Sequence, residues 1–317
     1  MFCFDYLRLA SLRNQSDFKI VEALAQYGSI RKAAEAVALT PSALNRKLLA
    51  MEDEFRVQMF DRTSLGLRLN ASGELVVENA RKQQLDLEVL KSDLATIKHA
   101  RTGHIRICAS QAAMEAFLPR EMVVYKRRFP EVTFALHYAN AQSAQAALQE
   151  YHSDLALCFN LQASDIVEII GEITQSLYAM IPIGHPILEK EEIIFEDLAA
   201  TSLALPSQGS GLRSLLDKKA ASIGLNLKCG IESSSFLVLK EMSLSLGMIG
   251  FRQALSYANY ENYNGFELRK VVDLDPITSS LAKLKGRTTS EAIRGFCGQI
   301  QTTCNASKLD VEFHTNY

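Results

Sequence analysis

The residues best equipped for chemistry come early, in Thr40-Pro41-Ser42-Ala43-Leu44-Asn45-Arg46-Lys47. Thr40 suits the cap of a helix and Pro41 its first position, so a helix is expected to start there. Ser42, Asn45, Arg46 and Lys47 then project towards solvent. Their hydroxyl, amide and cationic groups are the types that reach base edges and phosphates when a helix enters a major groove. Just upstream, Arg31-Lys-Ala33-Ala34 begins a helix whose small residues permit a close crossing, and Arg31 joins the polar set. Val37, Leu39, Leu44 and Leu48 supply an apolar face across the intervening turn. Downstream, residues 60–70 alternate apolar and polar side chains around Gly66, the pattern of a small hairpin. Arg62 and Arg68 on that hairpin are placed to touch phosphates or a minor groove, as a wing does.

A second set of polar residues stands where short apolar runs give way to helical stretches: Ser110 and Gln111, Asn140, Pro206-Ser207-Gln208 with Gly209-Ser210-Gly211 leading into the helix, and Ser233-Ser234. A hydroxyl or amide at the start of a helix, with its open backbone N–H groups, can hold an anion. A serine there is also the ordinary cap, so spacing alone leaves both readings open.

Other chemistries lack their residues. Gly209-Ser210-Gly211 is not followed by Gly-Lys-Ser, so no phosphate-cradling loop forms. The Ser, His and Asp residues make no nucleophile elbow. Cys3, Cys108, Cys158, Cys229, Cys297 and Cys304 are scattered, without a CxxC pair or a histidine at zinc-ligand spacing. Cys297 and Cys304 fall on one expected helix about 10 Å apart, too far for a disulfide. His185-Pro186 reads as a turn, and the remaining histidines are isolated. No metal, no cofactor and no enzymatic activity are expected.

The elements that must position these groups follow from composition and period. The chain has 317 residues, 48% hydrophobic and 22% charged, enough for two or three globular domains. Its net charge of −2 excludes a wholly basic surface, while residues 1–70 carry ten Lys or Arg against eight Asp or Glu. The N-terminus shows no secretion signal, and no run is apolar enough to span a membrane; a cytoplasmic protein is expected. Residues 71–101 read as one long helix stopped at Thr102-Gly103. Along it Val76, Ala80, Gln83, Leu87, Leu90, Leu94 and Ile97 are spaced alternately four and three apart, a heptad seam for pairing with a second copy. From His104 strands and helices alternate, as in a mixed α/β domain. Strands are expected at 105–109, 133–138, 154–159, 177–183, 203–205, 228–232 and 248–250. Helices are expected at 113–128, 142–151, 210–223, 235–245 and 288–303, with a frayed, polar C-terminus.

These motifs together resemble the LysR family of bacterial transcription regulators. The resemblance is carried by Gly28-Ser29 before Ala33-Ala34, by Thr40 to Arg46, by Met51-Glu52, by Phe60-Asp-Arg62 and by Asn70-Ala-Ser-Gly73. Asn45 stands where that family usually has Ser, Arg56 where it has Gly, and Asn70 where it has Thr. Residues 1–16 form a longer leader than usual. Pieces further on continue the likeness: Ile105 to Ser110, Leu118-Pro119, Phe129-Pro130, Asp154 to Phe159, Ile183 to Leu188, and Phe195 to Ala199.

The resemblance implies a winged helix-turn-helix (16–70), a linker dimerisation helix (71–101) and a two-lobed effector domain like a periplasmic binding protein (104–303). Lobe I would hold 104–160 and 268–303 and lobe II 165–263, with crossovers near 159–165 and 264–270. The second polar set would then converge on an interlobe cleft holding a small polar or carboxylate effector. Implied partners are an operator in double-stranded DNA, further copies in a dimer or tetramer, and RNA polymerase if the protein activates. The rival reading is a small-molecule-binding protein or enzyme with an N-terminal interaction domain.

Overall fold

The computed structural model describes residues 14–63, 66–97, 102–253, 265–306 and 310–312. The leader before residue 14, residues 64–65, the last four residues of the expected long helix (98–101), Cys3, His99 and His314 lie outside the described residues. The chain forms two compact units, Met1–Glu88 and Val89–Tyr317.

In the first unit, α1 (Asn14–Tyr27), α2 (Ile30–Ala36) and α3 (Pro41–Phe55) are followed by the hairpin β1 (Phe60–Thr63) and β2 (Gly66–Leu69), then by α4 (Ala71–Ile97), whose last residues, from Val89, belong to the second unit. Ala33 and Ala34 are wholly buried, and Ile20, Val21, Leu24, Leu44, Leu48, Met51 and Met59 close the core around them. Thr40 caps α3 by accepting from the Ala43 N–H at 3.2 Å. The helix ends at Arg56, held at φ +55° in the left-handed region that favours glycine. Glu52 accepts from the Met59 N–H at 2.8 Å and so ties α3 to the start of the wing. Gly28, at φ +60°, accepts from the Leu67 N–H at 2.8 Å, which ties the wing's second strand to the α1–α2 turn. Asn70 caps α4, accepting from the Gly73 N–H and donating to the Gln58 carbonyl, both at 3.0 Å.

In the second unit, β3 (Gly103–Ala109) leads into a helix whose opening contains a π-helical turn (Ala113–Phe117) before α5 (Leu118–Arg128). There follow β4 (Val132–Tyr138), α6 (Ala141–Gln149), β5 (Leu155–Phe159), β6 (Val167–Gln175) and β7 (Leu177–Pro182). Next are a 3₁₀ turn (Pro186–Glu189), α7 (Phe195–Ala199), β8 (Leu203–Pro206), α8 (Gly211–Ser222), β9 (Cys229–Ser233), α9 (Phe236–Leu246) and β10 (Gly250–Gln253). The unit closes with β11 (Phe266–Lys270), β12 (Ile277–Leu284), α10 (Glu291–Ala306) and β13 (Asp310–Glu312).

Lobe I is a six-stranded sheet ordered β13-β6-β12-β5-β3-β4. Its cores pack Ile105, Ile107, Tyr125, Leu155 and Phe296 on one face and Ala144, Leu148, Ala156 and Cys158 on the other. Lobe II combines the antiparallel β10-β7-β11 with the parallel β8-β9, joined by the Leu203–Ile249 bridge.

The lobe boundaries differ from expectation. β6 pairs with β12 from Ile277↔Gln175 to Leu284↔Val167, so 167–175 belongs to lobe I rather than lobe II. β11 pairs with β7 and belongs to lobe II rather than lobe I. The chain therefore crosses at Ser176 and over 271–276. β6 is interrupted by charged and small residues, which hid its period of two, while the alternation of β11 spans only five residues. At the C-terminus, Asp310–Glu312 pairs with β6 instead of fraying.

Candidate nucleic-acid interface and ligand cleft

Ser42 and Arg46 are exposed on the first turns of α3, and Thr40 and Pro41 are exposed at its start. Arg62 and Arg68 are exposed on the hairpin. Register pairs Arg62 with Leu67 and Arg68 with Asp61, so the two arginines leave opposite faces of the ribbon. Arg31 is exposed on α2 in an i,i+4 pair with Glu35.

Two residues depart from the sequence reading. Lys47 turns back to α1, where its ammonium lies 2.6 Å from Asp17, and so braces the fold rather than joining the solvent face. Asn45 is half-buried, with its carbonyl oxygen enclosed and lacking a hydrogen-bond partner. Its longer side chain, where a serine was usual, reaches into the domain.

The seam on α4 also divides. Ala80 is buried and Val76 packs on the core of the first unit, so neither presents itself to a second copy. Leu87 is half-buried, while Leu90 and Leu94 are 53% and 51% exposed. The side chain of Ile97 lies outside the described residues.

Within the second unit, a cavity of about 290 Å³ opens between the lobes. Ser110, Gln111, Asn140 and Pro206 line it as expected. Ser207, Gln208, Ser233 and Ser234 do not. The Ser207 N–H is spent on the Ser233 carbonyl, the Gln208 N–H on Glu232, and the Ser233 hydroxyl on the Ser235 N–H. Ser234 is exposed away from the cavity. The place expected for them is taken by Ser210, which caps α8 by accepting from the Arg213 N–H at 3.1 Å. Gly211 follows because a β-carbon there would stand 2.2 Å from the Phe159 ring.

Helix starts at Ser110, Asn140, Ser210 and Phe236 all border this one cavity, and their dipoles make it favourable to an anion. Asn140 and Ser210 spend their side chains as caps. Ser110 does not: its hydroxyl oxygen is buried in the cavity wall without a partner.

Sequence reasoning missed Phe159, Phe236 and Phe251, which make the walls apolar, and the pair Glu115–Arg252. Arg252 is buried, ion-pairs with Glu115 across the cleft, and stacks 3.2 Å over the Phe236 ring centre. Burial pushes the Glu115 carboxyl up from its ordinary value, and Arg252 opposes that rise. A cationic residue thus faces the cleft, although Glu115 neutralises it. Its signal was legible: an arginine inside the apolar run Met248-Ile-Gly-Phe-Arg252 must find a counter-charge once buried.

Cys108, Cys158, Cys297 and Cys304 are buried, and only Cys229 is exposed among the described cysteines. Burial pushes the thiols of Cys158, Cys297 and Cys304 up to about 12. His185 accepts from the Ile187 N–H at 3.2 Å, the turn role expected of it. Among the described residues, no cluster of His, Cys, Asp and Glu suits a metal ion, and no helix is long and apolar enough to cross a membrane.

Comparison with known proteins agrees with both units. Residues 16–74 match the bacterial regulatory helix-turn-helix model of the lysR family, and residues 98–305 match the LysR substrate binding domain. The HTH-type transcriptional regulator CbbR of Sinorhizobium medicae is 30% identical over 217 residues, covering 67% of this chain and 66% of that protein. The CbbR of Rhizobium meliloti is 29% identical over 63% of each chain, so the match spans just under two thirds of these relatives. The hydrogen peroxide-inducible genes activator of Pectobacterium carotovorum is 24% identical over 80% of this chain and 83% of its own. Among solved structures, full-length CbnR complexed with its target DNA aligns at a TM-score of 0.63, with 13% identity, over 91% of this chain and 99% of that one. A full-length OxyR variant from Pseudomonas aeruginosa aligns at 0.67 with 19% identity, over 90% and 94%. The helix-turn-helix with its wing and the two-lobed cleft domain lie in the order these models describe, and the chain belongs to the LysR family of regulatory proteins.

Proposed function

We propose that this protein is a DNA-binding transcription regulator whose grip on an operator responds to a small molecule held in the interlobe cleft, without enzymatic activity. The observation that carries the reading is the exposed set Ser42, Arg46, Arg62 and Arg68, displayed by one small unit on a helix start and a hairpin. Thr40 and Pro41 hold the opening turn of α3 at the groove edge, and Arg31 adds a phosphate contact. Asn45 contributes through its amide nitrogen, the half that donates.

Two readers are joined through Leu87, Leu90, Leu94 and Ile97, because one small domain makes too few contacts to select a site in a genome. The effector is a small molecule with a carboxylate, which Ser110, Gln111 and Asn140 receive at the helix starts. Its binding acts on DNA by favouring one subunit arrangement over another. Cys158 and Cys297 take no part in the reading as redox sensors, since burial keeps their thiols protonated and unreactive.

Footprinting on the fragment beside the protein's own gene tests this. Protection of two half-sites, spaced by about one helical turn of DNA or a multiple of it, is expected. Uniform protection of every fragment rules it out.

A further inference from the structure

Among the described residues, the cleft holds one acidic and one basic side chain, Glu115 from lobe I and Arg252 from lobe II, and they meet each other. Tyr138 is the remaining titratable residue of its wall among the described residues. Gln111 also hydrogen-bonds Glu115, so that carboxylate is held from both sides. Ser110 begins the helix that carries Glu115 five residues later, roughly 7 Å along the axis. Side chains on a helix lean towards its N-terminus, which brings the Glu115 carboxylate back towards the opening turn.

These positions make the two ends of the cavity unlike. At the opening turn, the Ser110 hydroxyl lacks a partner and the helix dipole favours a negative group. Farther along the same helix, the half-buried Glu115 carboxylate is paired with Arg252 and Gln111 and keeps lone pairs for a further donor. A lone carboxylate at Ser110 would suit the helix ends but leave unmet the lone pairs that Glu115 keeps beyond Arg252 and Gln111. A lone amine at Glu115 would face Arg252 and four positive helix ends. A molecule that carries an ammonium and a carboxylate on one carbon brings a partner to each. Phe159, Phe236, Phe251, Leu212 and Leu239 make the rest of the wall apolar.

We infer that the effector is a zwitterionic α-amino acid with an apolar side chain, its carboxylate on Ser110 and the start of that helix, its ammonium on Glu115. Arg252 is then a positioning residue: it keeps Glu115 ionised and aimed, and need not touch the ligand. This inference rests on the cleft being the effector site.

The test is calorimetry on the full-length protein with L-valine, L-leucine, L-isoleucine, L-methionine and L-phenylalanine. The deaminated and decarboxylated counterparts follow, for example 3-phenylpropanoate and phenethylamine. At least one of the five amino acids is expected to bind, with affinity falling tenfold or more when either charge is removed. Glu115→Gln is expected to weaken the amino acid tenfold and to leave the deaminated acid unchanged or tighter, a split that mere loss of folding does not produce. Binding of the deaminated acid within threefold of its parent overturns the inference, and so does silence from all five amino acids. The effector reading is judged separately with Ala112→Trp, which fills the cavity: unchanged promoter control by a folded variant would sink that reading instead.

Discussion

A β-carbon placed on Gly73 would stand 2.1 Å from the Met59 carbonyl oxygen and 2.6 Å from a Leu69 methyl. The first turn of α4 is thus pressed against the base of the wing, and only a residue without a side chain fits. This contact gives the glycine of Asn70-Ala-Ser-Gly73 its physical reason. Gly73→Ala is expected to cost about 1–3 kcal/mol through overpacking, read by urea unfolding of the full chain. Stability equal to that of the parent would show that α4 can back away.

Arg56 presents the opposite case, a side chain where glycine belongs. The left-handed conformation at φ +55° disfavours any residue with a β-carbon, and glycine relieves it. Because glycine also loses more backbone freedom on folding, the net gain for Arg56→Gly is about 0.5–1 kcal/mol. A melting temperature that falls would contradict the strain.

Much of the first unit was legible because its motifs are local. A cap and proline at Thr40-Pro41, the small pair Ala33-Ala34 and the alternation about Gly66 each act within a few residues. The fates of Lys47 and Asn45 were not legible, since each depends on what α1 places beside α3. In the second unit the strands with clean apolar runs were found. β6, β11 and β12 were not, because their identity as strands depends on partners far along the chain. A similar distance separates Glu115 from Arg252. Of the lobe II junction 206–211, Pro206, Gly209, Ser210 and Gly211 line the cleft, while Ser207 and Gln208 do not, nor do Ser233 and Ser234. Hydrogen bonding within the β8 and β9 junctions claims Ser207 and Ser233.

The exposed leucines of α4 lead to a prediction about assembly. Leu90→Glu with Leu94→Glu places like charges on the proposed seam and is expected to turn the dimer into monomers in sedimentation experiments. Ala80, buried within its own chain, is expected to affect folding rather than association. A charged double variant that stays dimeric would move the interface elsewhere.

Stability should depend on alkaline pH through the buried thiols. Cys158, Cys297 and Cys304 have folded values of about 12 against an ordinary 9.0. Below pH 9 the folded and unfolded chains are both protonated at these sites, and their contribution is fully present. Between pH 9 and 12 the unfolded chain loses these protons while the folded one keeps them, so stability falls as pH rises. The decline between pH 8 and 10.5 is expected to be shallower in Cys158→Ala than in the parent. An identical decline would mean that the Cys158 thiol ionises freely in the folded state.

Operator affinity as a function of salt tests the account most directly. It is measured by fluorescence anisotropy with the parent, Arg46→Ala, Arg62→Ala and Lys47→Ala on the fragment beside the gene and on random duplex. The parent should prefer its own fragment by roughly a thousandfold or more. Arg46→Ala and Arg62→Ala should each lower the salt slope by about one, as loss of a phosphate contact does, while Lys47→Ala, whose parent side chain is bound to Asp17, leaves the slope unchanged. A parent that holds random duplex as tightly as its own fragment, with slopes indifferent to Arg46 and Arg62, would contradict the account.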